Sequence, residues 1–125
     1  MKQSIYTDKA PPCIGTYSQA IKVNNMIFLS GQIPLDPVKN EIVAGGIAAQ
    51  VDQVFKNIKA VAEASGGDMD SIVRVCVYLT DLTNFPIVNE AMKKHFKEPY
   101  PARTTIGISA LPKGSLVEVD AIMVG

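Results

Sequence analysis

Hydrophobic residues recur every second position near both ends of the chain and about every 3.6 positions in two stretches between them. In the N-terminal third, this alternation predicts strands over residues 4–7, 17–23 and 26–30. The last two are expected to form a hairpin, because Asn24 and Asn25 tolerate the left-handed backbone of a tight turn. The following segment, 31–37, is rich in Gly and Pro and is predicted to be a loop.

Two amphipathic helices are predicted, over 46–65 and 84–96. The first is expected to end at Gly66-Gly67, and the second to begin with Asn84 as N-cap and Pro86 in its first turn. Polar residues of the first helix, including Gln50, Asp52 and Asn57, are predicted to face away from the core. The apolar stripes are Ile47, Val51, Val54, Phe55, Ile58, Val61 and Ala62 in the first helix, and Phe85, Val88, Met92 and Phe96 in the second.

Two further strands, over 72–80 and 117–124, each have one apolar and one mixed face. The element order predicts an α+β fold, with two helices packed on one face of a mixed β-sheet. The other face is too apolar to be fully solvated, so we expect other copies of the chain to cover it in a closed oligomer. The apolar faces comprise Val73, Val75, Val77, Leu79, Val117, Val119, Ala121 and Met123, and the mixed faces comprise Ile72, Arg74, Cys76, Tyr78, Thr80, Glu118, Asp120, Ile122 and Val124.

Length and charge narrow the class of protein. A chain of 125 residues is expected to form a single domain, 1–125. Twelve basic and twelve acidic residues cancel, which disfavours nucleic acid and anionic membrane surfaces as partners. The N-terminus lacks the apolar core of a signal peptide and no apolar run is long enough to span a bilayer, so a cytoplasmic protein is expected. Cys13 and Cys76 are interpreted as reduced thiols without a catalytic role.

The candidate chemistry lies near the C-terminus. Arg103 is predicted at the start of one strand and Glu118 inside the next, and a short connection is expected to bring both to one edge of the sheet. Thr105 is expected to share a face with Arg103. A guanidinium binds a carboxylate through two parallel hydrogen bonds, and a nearby glutamate positions a water or moves a proton. The pair therefore predicts a site for a small organic acid, although each residue alone is also typical of a solvated surface charge.

Other common kinds of site are not indicated. His95 is interpreted as a solvated histidine, since it has no cysteine or carboxylate at ligand spacing, and no metal site is predicted. The glycine pairs lack a phosphate-loop lysine and GxGxxG spacing, so no nucleotide cofactor is predicted. A Ser/His/Asp triad is not expected either, because there is no GxSxG motif.

Several ordered motifs resemble those of the Rid proteins, the reactive intermediate deaminases also called the YjgF family. The resemblance covers nearly the whole chain. The matching segments are Ala10-Pro11, Ile14-Gly15-Thr16-Tyr17-Ser18-Gln19-Ala20, Ser30-Gly31-Gln32-Ile33-Pro34, Asp81-Leu82-Thr83-Asn84-Phe85, Val88-Asn89, Tyr100-Pro101-Ala102-Arg103 and Glu118-Val119-Asp120-Ala121-Ile122.

This resemblance implies a chorismate-mutase-like subunit and a homotrimeric barrel with three ligand clefts between subunits. It also implies hydrolysis of 2-imino acids, such as 2-iminobutanoate and 2-iminopropanoate, to 2-oxo acids and ammonia, without a cofactor. By the same resemblance, Arg103 would clamp the substrate carboxylate and Glu118 would hold the attacking water. The remaining pocket residues would be Tyr17, Ser30, Gly31 and Asn89, some of them contributed by the neighbouring subunit.

One position departs from the family pattern. Many of these deaminases have a cysteine two residues after the arginine, where this chain has Thr105. A thiol-dependent role is therefore excluded there, whereas a backbone contact with the substrate is not. Two alternatives stay open: a non-catalytic binder of small carboxylates, which would not need Glu118, and an RNA-cleaving translation inhibitor, which the zero net charge argues against. The physiological imine is not defined by the sequence.

Overall fold

The computed structural model describes residues 1–125 and contains two α-helices, six strands and three short 3-10 helices. The helices are α1, Gly46–Ala64, and α2, Phe85–His95. The strands are β1, Gln3–Ile5; β2, Ala20–Val23; β3, Met26–Gln32; β4, Ile72–Leu79; β5, Ala102–Gly107; and β6, Val117–Val124.

The strands form one sheet in the order β1-β2-β3-β6-β4-β5. Only the β4–β5 pair is parallel, so the sheet is mixed. One face of the sheet packs with both helices around a single cluster of 22 buried residues. The predicted α+β fold with two helices on one face of a mixed sheet is confirmed. We call the uncovered side of the sheet the open face.

Local sequence signals account for most element boundaries. Asn24 has φ 55 in the turn between β2 and β3, as the hairpin prediction requires. Gly66 has φ 94 just after α1, a conformation that lets the chain leave the helix. Asn84 occupies the N-cap position of α2, but its side chain makes no capping hydrogen bond. The preceding turn is capped instead by Asp81, whose side chain accepts a hydrogen bond from the Thr83 backbone N–H at 2.9 Å.

The predicted parity of β4 is wrong at its first two residues. Ile72 is buried and Val73 is 46% exposed, the reverse of the expected pattern. The pairing of β4 with β6 shifts register between Ile72 and Arg74, which is the mark of a β-bulge. From Arg74 onward the more buried and less buried residues alternate as predicted, because the extra residue of the bulge shifts the alternation by one position.

Two polar residues predicted to face away from the core on α1 are instead buried. Asn57 is 1% exposed and Gln50 is 7% exposed. Each forms a hydrogen bond to the backbone of a loop, which compensates for the loss of water. The apolar stripe of α1 is otherwise confirmed: Val51, Val54, Phe55, Ile58, Val61 and Ala62 are buried, and Ile47 packs at the margin of the core.

The interpretation of His95 as solvated is also wrong. Its side chain is 11% exposed, and its Nε2 lies 2.8 Å from Asp52 Oδ1 on α1. The imidazole also packs against Phe55, with ring centroids 5.4 Å apart. His95 therefore ties α2 to α1. Neither helix has the length and apolar character needed to cross a membrane.

Candidate functional site

Two separate depressions contain six of the seven predicted site residues. The first, which we call the acid cavity, has a volume of about 530 Å³ and includes Tyr17, Ser30, Gly31 and Glu118 in its lining. It is formed by the loop that precedes β2, the end of β3, the turn at Pro112 and the start of β6. The structure thus brings together four of the seven residues predicted for the site.

Gly31 makes room for the Glu118 carboxylate. The pairing of β3 with β6 shifts register between Leu29 and Gln32, so an extra residue bulges from β3 at this point. The missing side chain matters here, because a Cβ atom at Gly31 would overlap the Glu118 carboxylate. Any side chain at position 31 would therefore force the Glu118 carboxylate to move from its position beside the β3 backbone.

Glu118 is a half-buried carboxylate on the open face. Burial, followed by the negative charge of Asp120, raises the pKa of Glu118 above its ordinary value. No hydrogen bond or ion pair within the chain opposes this shift. A carboxylate in this condition is a stronger base than a solvated glutamate, and it is free to bind a water or a ligand.

Ser30 and Tyr17 lie on the walls of the acid cavity. The Ser30 hydroxyl donates to the Ser18 carbonyl oxygen at 2.6 Å, and its backbone N–H donates to the Gln19 carbonyl oxygen at 2.9 Å. Tyr17 is exposed, and its hydroxyl oxygen accepts a long hydrogen bond of 3.4 Å from the Ile14 N–H. Ser30 is thus fixed by the chain, whereas the Tyr17 ring is accessible at the cavity.

Three buried amide side chains hold the walls of this cavity. Gln19 donates through Nε2 to the Pro11 carbonyl oxygen at 2.9 Å. Asn57 donates through Nδ2 to the Leu35 carbonyl oxygen at 3.0 Å, and the Gln50 Oε1 accepts from the N–H of residue 116 at 2.8 Å. These three roles were not predicted from the sequence. Gln19 belongs to a segment that resembles the Rid family, and this could have indicated its role. The periodicity of α1 gave no such indication for Gln50 and Asn57, because it placed them on the polar side of the helix.

The second depression, which we call the arginine cleft, includes Asn89, Tyr100 and Arg103 in its lining and has a volume of about 560 Å³. The Arg103 guanidinium lies over the Phe85 ring, with its carbon 4.9 Å from the ring centroid. Phe85, which was predicted to lie on the apolar stripe of α2, is 40% exposed and forms a cation–π contact. This contact was not predicted, and it holds the guanidinium at the cleft that Asn89 also lines.

Thr105, the remaining predicted site residue, is on β5 with Arg103 but does not line the arginine cleft. Arg103 pairs with Val75 and Thr105 with Val77 across the parallel β4–β5 ladder, so both side chains are on the helix side of the sheet. This confirms that Arg103 and Thr105 share a face. The Thr105 hydroxyl oxygen is buried and has no hydrogen-bond partner.

The structure does not bring Arg103 and Glu118 together within one chain. Strand β4 lies between β5 and β6, so the two residues are not on neighbouring strands. Glu118 pairs with Tyr78 on the open face, whereas Arg103 pairs with Val75 on the helix side. The expectation that a short connection places both at one edge is therefore wrong for a single copy. The predicted site residues of one chain are therefore divided between the acid cavity and the arginine cleft, which we call the two half-sites.

No set of three or more His, Cys, Asp or Glu side chains is arranged to hold a metal ion. The chemically notable groups are therefore the carboxylate of the acid cavity and the guanidinium of the arginine cleft. The first is suited to proton transfer and the second to binding an anion.

The α+β fold of this chain is also found in proteins of known structure. The crystal structure of RidA from the Antarctic bacterium Psychrobacter sp. PAMC 21119 matches with a TM-score of 0.95 and 48% identity, covering 98% of this chain and 99% of that one. The crystal structure of E. coli TdcF with bound serine matches with a TM-score of 0.93 and 36% identity, covering 98% of each chain.

Sequence comparison defines the family. The Endoribonuclease L-PSP family matches residues 7–124. A protein from Dermatophagoides farinae named 2-iminobutanoate/2-iminopropanoate deaminase is 45% identical, over 98% of this chain and 96% of its own length. This chain therefore belongs to the L-PSP family, which is the Rid or YjgF family that its motifs resemble.

Proposed function

We propose that the protein hydrolyses 2-imino acids, such as 2-iminobutanoate and 2-iminopropanoate, to 2-oxo acids and ammonia. The observation that carries the proposal is Glu118, a half-buried carboxylate in a cavity, with a raised pKa and no partner within its own chain. The name of the D. farinae relative supports the activity. The serine bound to TdcF supports a ligand of similar size that carries a carboxylate.

The proposed site combines the acid cavity of one copy with the arginine cleft of another. The two half-sites are on opposite faces of the sheet, so one copy does not unite them. Exposed apolar side chains on the open face, including Phe28, Ile106 and Val124, favour its burial against further copies. A cytoplasmic homotrimer with three such clefts is the assembly that we propose, as the family resemblance implies.

In the proposed reaction, Arg103 binds the substrate carboxylate through two hydrogen bonds and fixes the imine carbon next to Glu118. Glu118 accepts a proton as the water oxygen bonds to that carbon, which gives a carbinolamine. With a protonated imine as substrate, Glu118 returns this proton to the nitrogen of the neutral carbinolamine and accepts the hydroxyl proton as the carbon–nitrogen bond breaks. Ammonia and a 2-oxo acid are released, and the last proton passes to solvent. An imine is already electrophilic at carbon, so orientation and one proton carrier suffice.

Tyr17, Ser30 and Gly31 would shape the substrate pocket from the side of the acid cavity, and Asn89 from the side of the arginine cleft. Thr105 would contribute through its backbone. The apolar lining of the acid cavity is suited to a small aliphatic substituent on the imine carbon. It includes Pro11, Pro12, Ile14, Ile33 and Leu35.

The activity is tested in a coupled assay that generates 2-iminobutanoate and follows ammonia release or loss of the imine signal. The wild-type protein is expected to accelerate hydrolysis, and Arg103→Lys to lose most of the effect because an ammonium does not reproduce the two-pronged contact. Full activity of Arg103→Lys would refute the clamp. No acceleration by the wild-type protein would refute the enzyme.

A non-catalytic binder of small carboxylates is the second candidate, favoured by the serine complex of TdcF. Glu118→Gln separates the two functions, because an enzyme loses turnover whereas a binder keeps its affinity for 2-oxo acids. The endoribonuclease name of the family raises a third possibility, RNA cleavage. The zero net charge of the chain argues against it, since binding of a polyanion rests mainly on basic residues.

A further inference from the structure

Two carboxylates share the open face of β6, and their surroundings differ. Asp120 accepts a hydrogen bond from the Tyr78 hydroxyl, with 2.9 Å between Oη and Oδ2. Glu118, two residues earlier on the same face, makes no hydrogen bond within the chain. Tyr78 also stands directly opposite Glu118 in the pairing of β4 with β6. One side chain therefore anchors the first carboxylate and is the cross-strand neighbour of the second.

The anchor is a stable hydrogen-bond donor. The bond to Asp120, together with burial, raises the pKa of Tyr78 to about 12. The phenol therefore keeps its proton at neutral pH and continues to donate to Asp120. Because the acceptor is held in place, its negative charge has a fixed position relative to Glu118.

Other titratable groups also face this part of the sheet. The Arg74 guanidinium on β4 donates to Thr104 Oγ1 at 2.8 Å, so it is directed toward β5. Cys76 is opposite Asp120 on β4. The acid cavity itself adds the titratable side chains Cys13, Tyr17 and Lys113.

We propose that Asp120 is a positioning residue for the proposed hydrolysis: anchored by Tyr78, it places a fixed negative charge beside Glu118 and makes Glu118 a stronger base. This inference rests on the proposed function. Glu118 takes a proton from the attacking water and returns it to the departing nitrogen, and both transfers need a carboxylate that holds a proton readily.

The division of roles follows from the two environments. Of the two neighbouring carboxylates, Asp120 is held by a hydrogen-bond donor, and Glu118, which has no donor, is free to carry the proton. Tyr78 thus determines which of the two is catalytic. Asp120 touches neither the substrate nor the water in this arrangement and acts through Glu118.

The first test is a titration of Glu118 that does not depend on activity. The carboxyl carbons of the assembled protein are labelled with 13C, and the Glu118 signal is followed by NMR against pH in the wild type and in Asp120→Asn. Asparagine has the same shape as aspartate and still accepts from Tyr78, so only the charge is removed. We expect a lower titration midpoint for Glu118 in the variant.

Asp70→Asn is the matched control, because it changes the net charge by the same amount at an exposed residue away from Glu118. Asp70 precedes the N-terminal end of β4, whereas Glu118 pairs with Tyr78 near the C-terminal end of that strand. Its Glu118 midpoint should equal that of the wild type. An unchanged midpoint in Asp120→Asn, or an equal decrease in Asp70→Asn, would overturn the inference.

The second test uses the pH dependence of kcat/KM for 2-iminobutanoate. In Asp120→Asn the acidic limb should move to lower pH, and activity on that limb relative to the plateau should rise about threefold. Tyr78→Phe keeps the Asp120 charge but removes the hydrogen bond that fixes it. A smaller shift of the acidic limb to lower pH is therefore expected. An acidic limb identical to the wild type in both variants would contradict the proposal.

The two tests separate this inference from the proposed function. If the wild-type protein does not accelerate imine hydrolysis, the proposed function fails, while the NMR titration still reports on the coupling between Asp120 and Glu118. If hydrolysis proceeds but the titration midpoint of Glu118 is the same in Asp120→Asn as in the wild type, only the positioning role of Asp120 fails.

Discussion

The acid cavity and the arginine cleft are built in different ways. The acid cavity has walls held by the buried amides Gln19, Gln50 and Asn57. The arginine cleft is at the edge strand β5, where the guanidinium of Arg103 rests on a partly exposed aromatic ring. One half-site is preorganised within the fold and the other is displayed at its margin. Such a difference is suited to a site that assembles when copies of the chain meet.

The largest effects are expected from removing the two charged groups, and they should differ in kind. Glu118→Gln removes the proton carrier and should lower kcat about 1000-fold, with little change in the affinity for a 2-oxo acid. Arg103→Lys should weaken that affinity as well, because the carboxylate contact is lost. Steady-state kinetics and calorimetry measure the two quantities.

The control for these substitutions is Glu63→Gln, on the exposed side of α1. It should keep kcat within about twofold of the wild type. If Glu118→Gln lowers affinity and turnover equally, the two half-sites do not have the separate roles assigned to them.

The next largest effect is expected at Gly31. In Gly31→Ala the added methyl group competes with the Glu118 carboxylate for space, so Glu118 must move. A displacement of about 1 Å lowers rates about 100-fold in well-ordered sites. The matched control is Gly125→Ala, since a Cβ there meets only ordinary contacts with Ile27 and Met123. Unchanged kcat in Gly31→Ala would show that the fit of Gly31 to Glu118 is unimportant.

A smaller effect is expected in the arginine cleft. Phe85→Leu removes the aromatic face under Arg103 and should raise KM about threefold, with kcat nearly constant. Phe85→Tyr keeps the ring and should behave like the wild type. Leu82→Ala, at another exposed apolar residue, controls for lost surface. Equal effects of Leu and Tyr at position 85 would argue against the cation–π contact.

The smallest effect on activity is expected at Asp52, which is in neither half-site. Burial opposes its charge, but hydrogen bonds from Lys56, Lys94 and His95 more than compensate and hold the pKa of Asp52 well below its usual range. Because the folded-state pKa is lower than the unfolded one, this stabilisation is present at neutral pH and is lost as pH falls below about 4.

Asp52→Asn should therefore lower the melting temperature by a few degrees at pH 7 and reduce its dependence on pH in the acidic range. Thermal unfolding measures both, and kcat should be unchanged. Glu90→Gln is the control, since its ion pair with Lys93 is highly exposed. A melting temperature that falls equally with acid in wild type and Asp52→Asn would contradict this account.

The sequence predicted the elements well because their signals are local. The alternation of apolar and polar residues in β6 and the apolar stripe of α1 depend only on residues that are close in sequence. The turn at Asn24 depends only on the backbone preference of that residue. The same information predicted that Arg103 and Thr105 share a face, since parity within one strand is enough.

The arrangement of the half-sites was harder to predict because it depends on long-range pairing. The insertion of β4 between β5 and β6 separates Arg103 from Glu118, and no local pattern encodes that order. The bulge at Val73 shifts parity by one residue without a sequence marker. The roles of Gln50 and Asn57 likewise depend on loops that are distant in sequence.

In the proposed assembly, each catalytic site joins the acid cavity of one copy to the arginine cleft of another. The most direct test co-expresses Glu118→Gln and Arg103→Lys chains with different tags and purifies the oligomers that carry both. In the proposed trimer, every oligomer that carries both chains has one site of three with both halves intact, so about a third of the wild-type activity should be restored. Mixed oligomers that are no more active than either parent would contradict the claim.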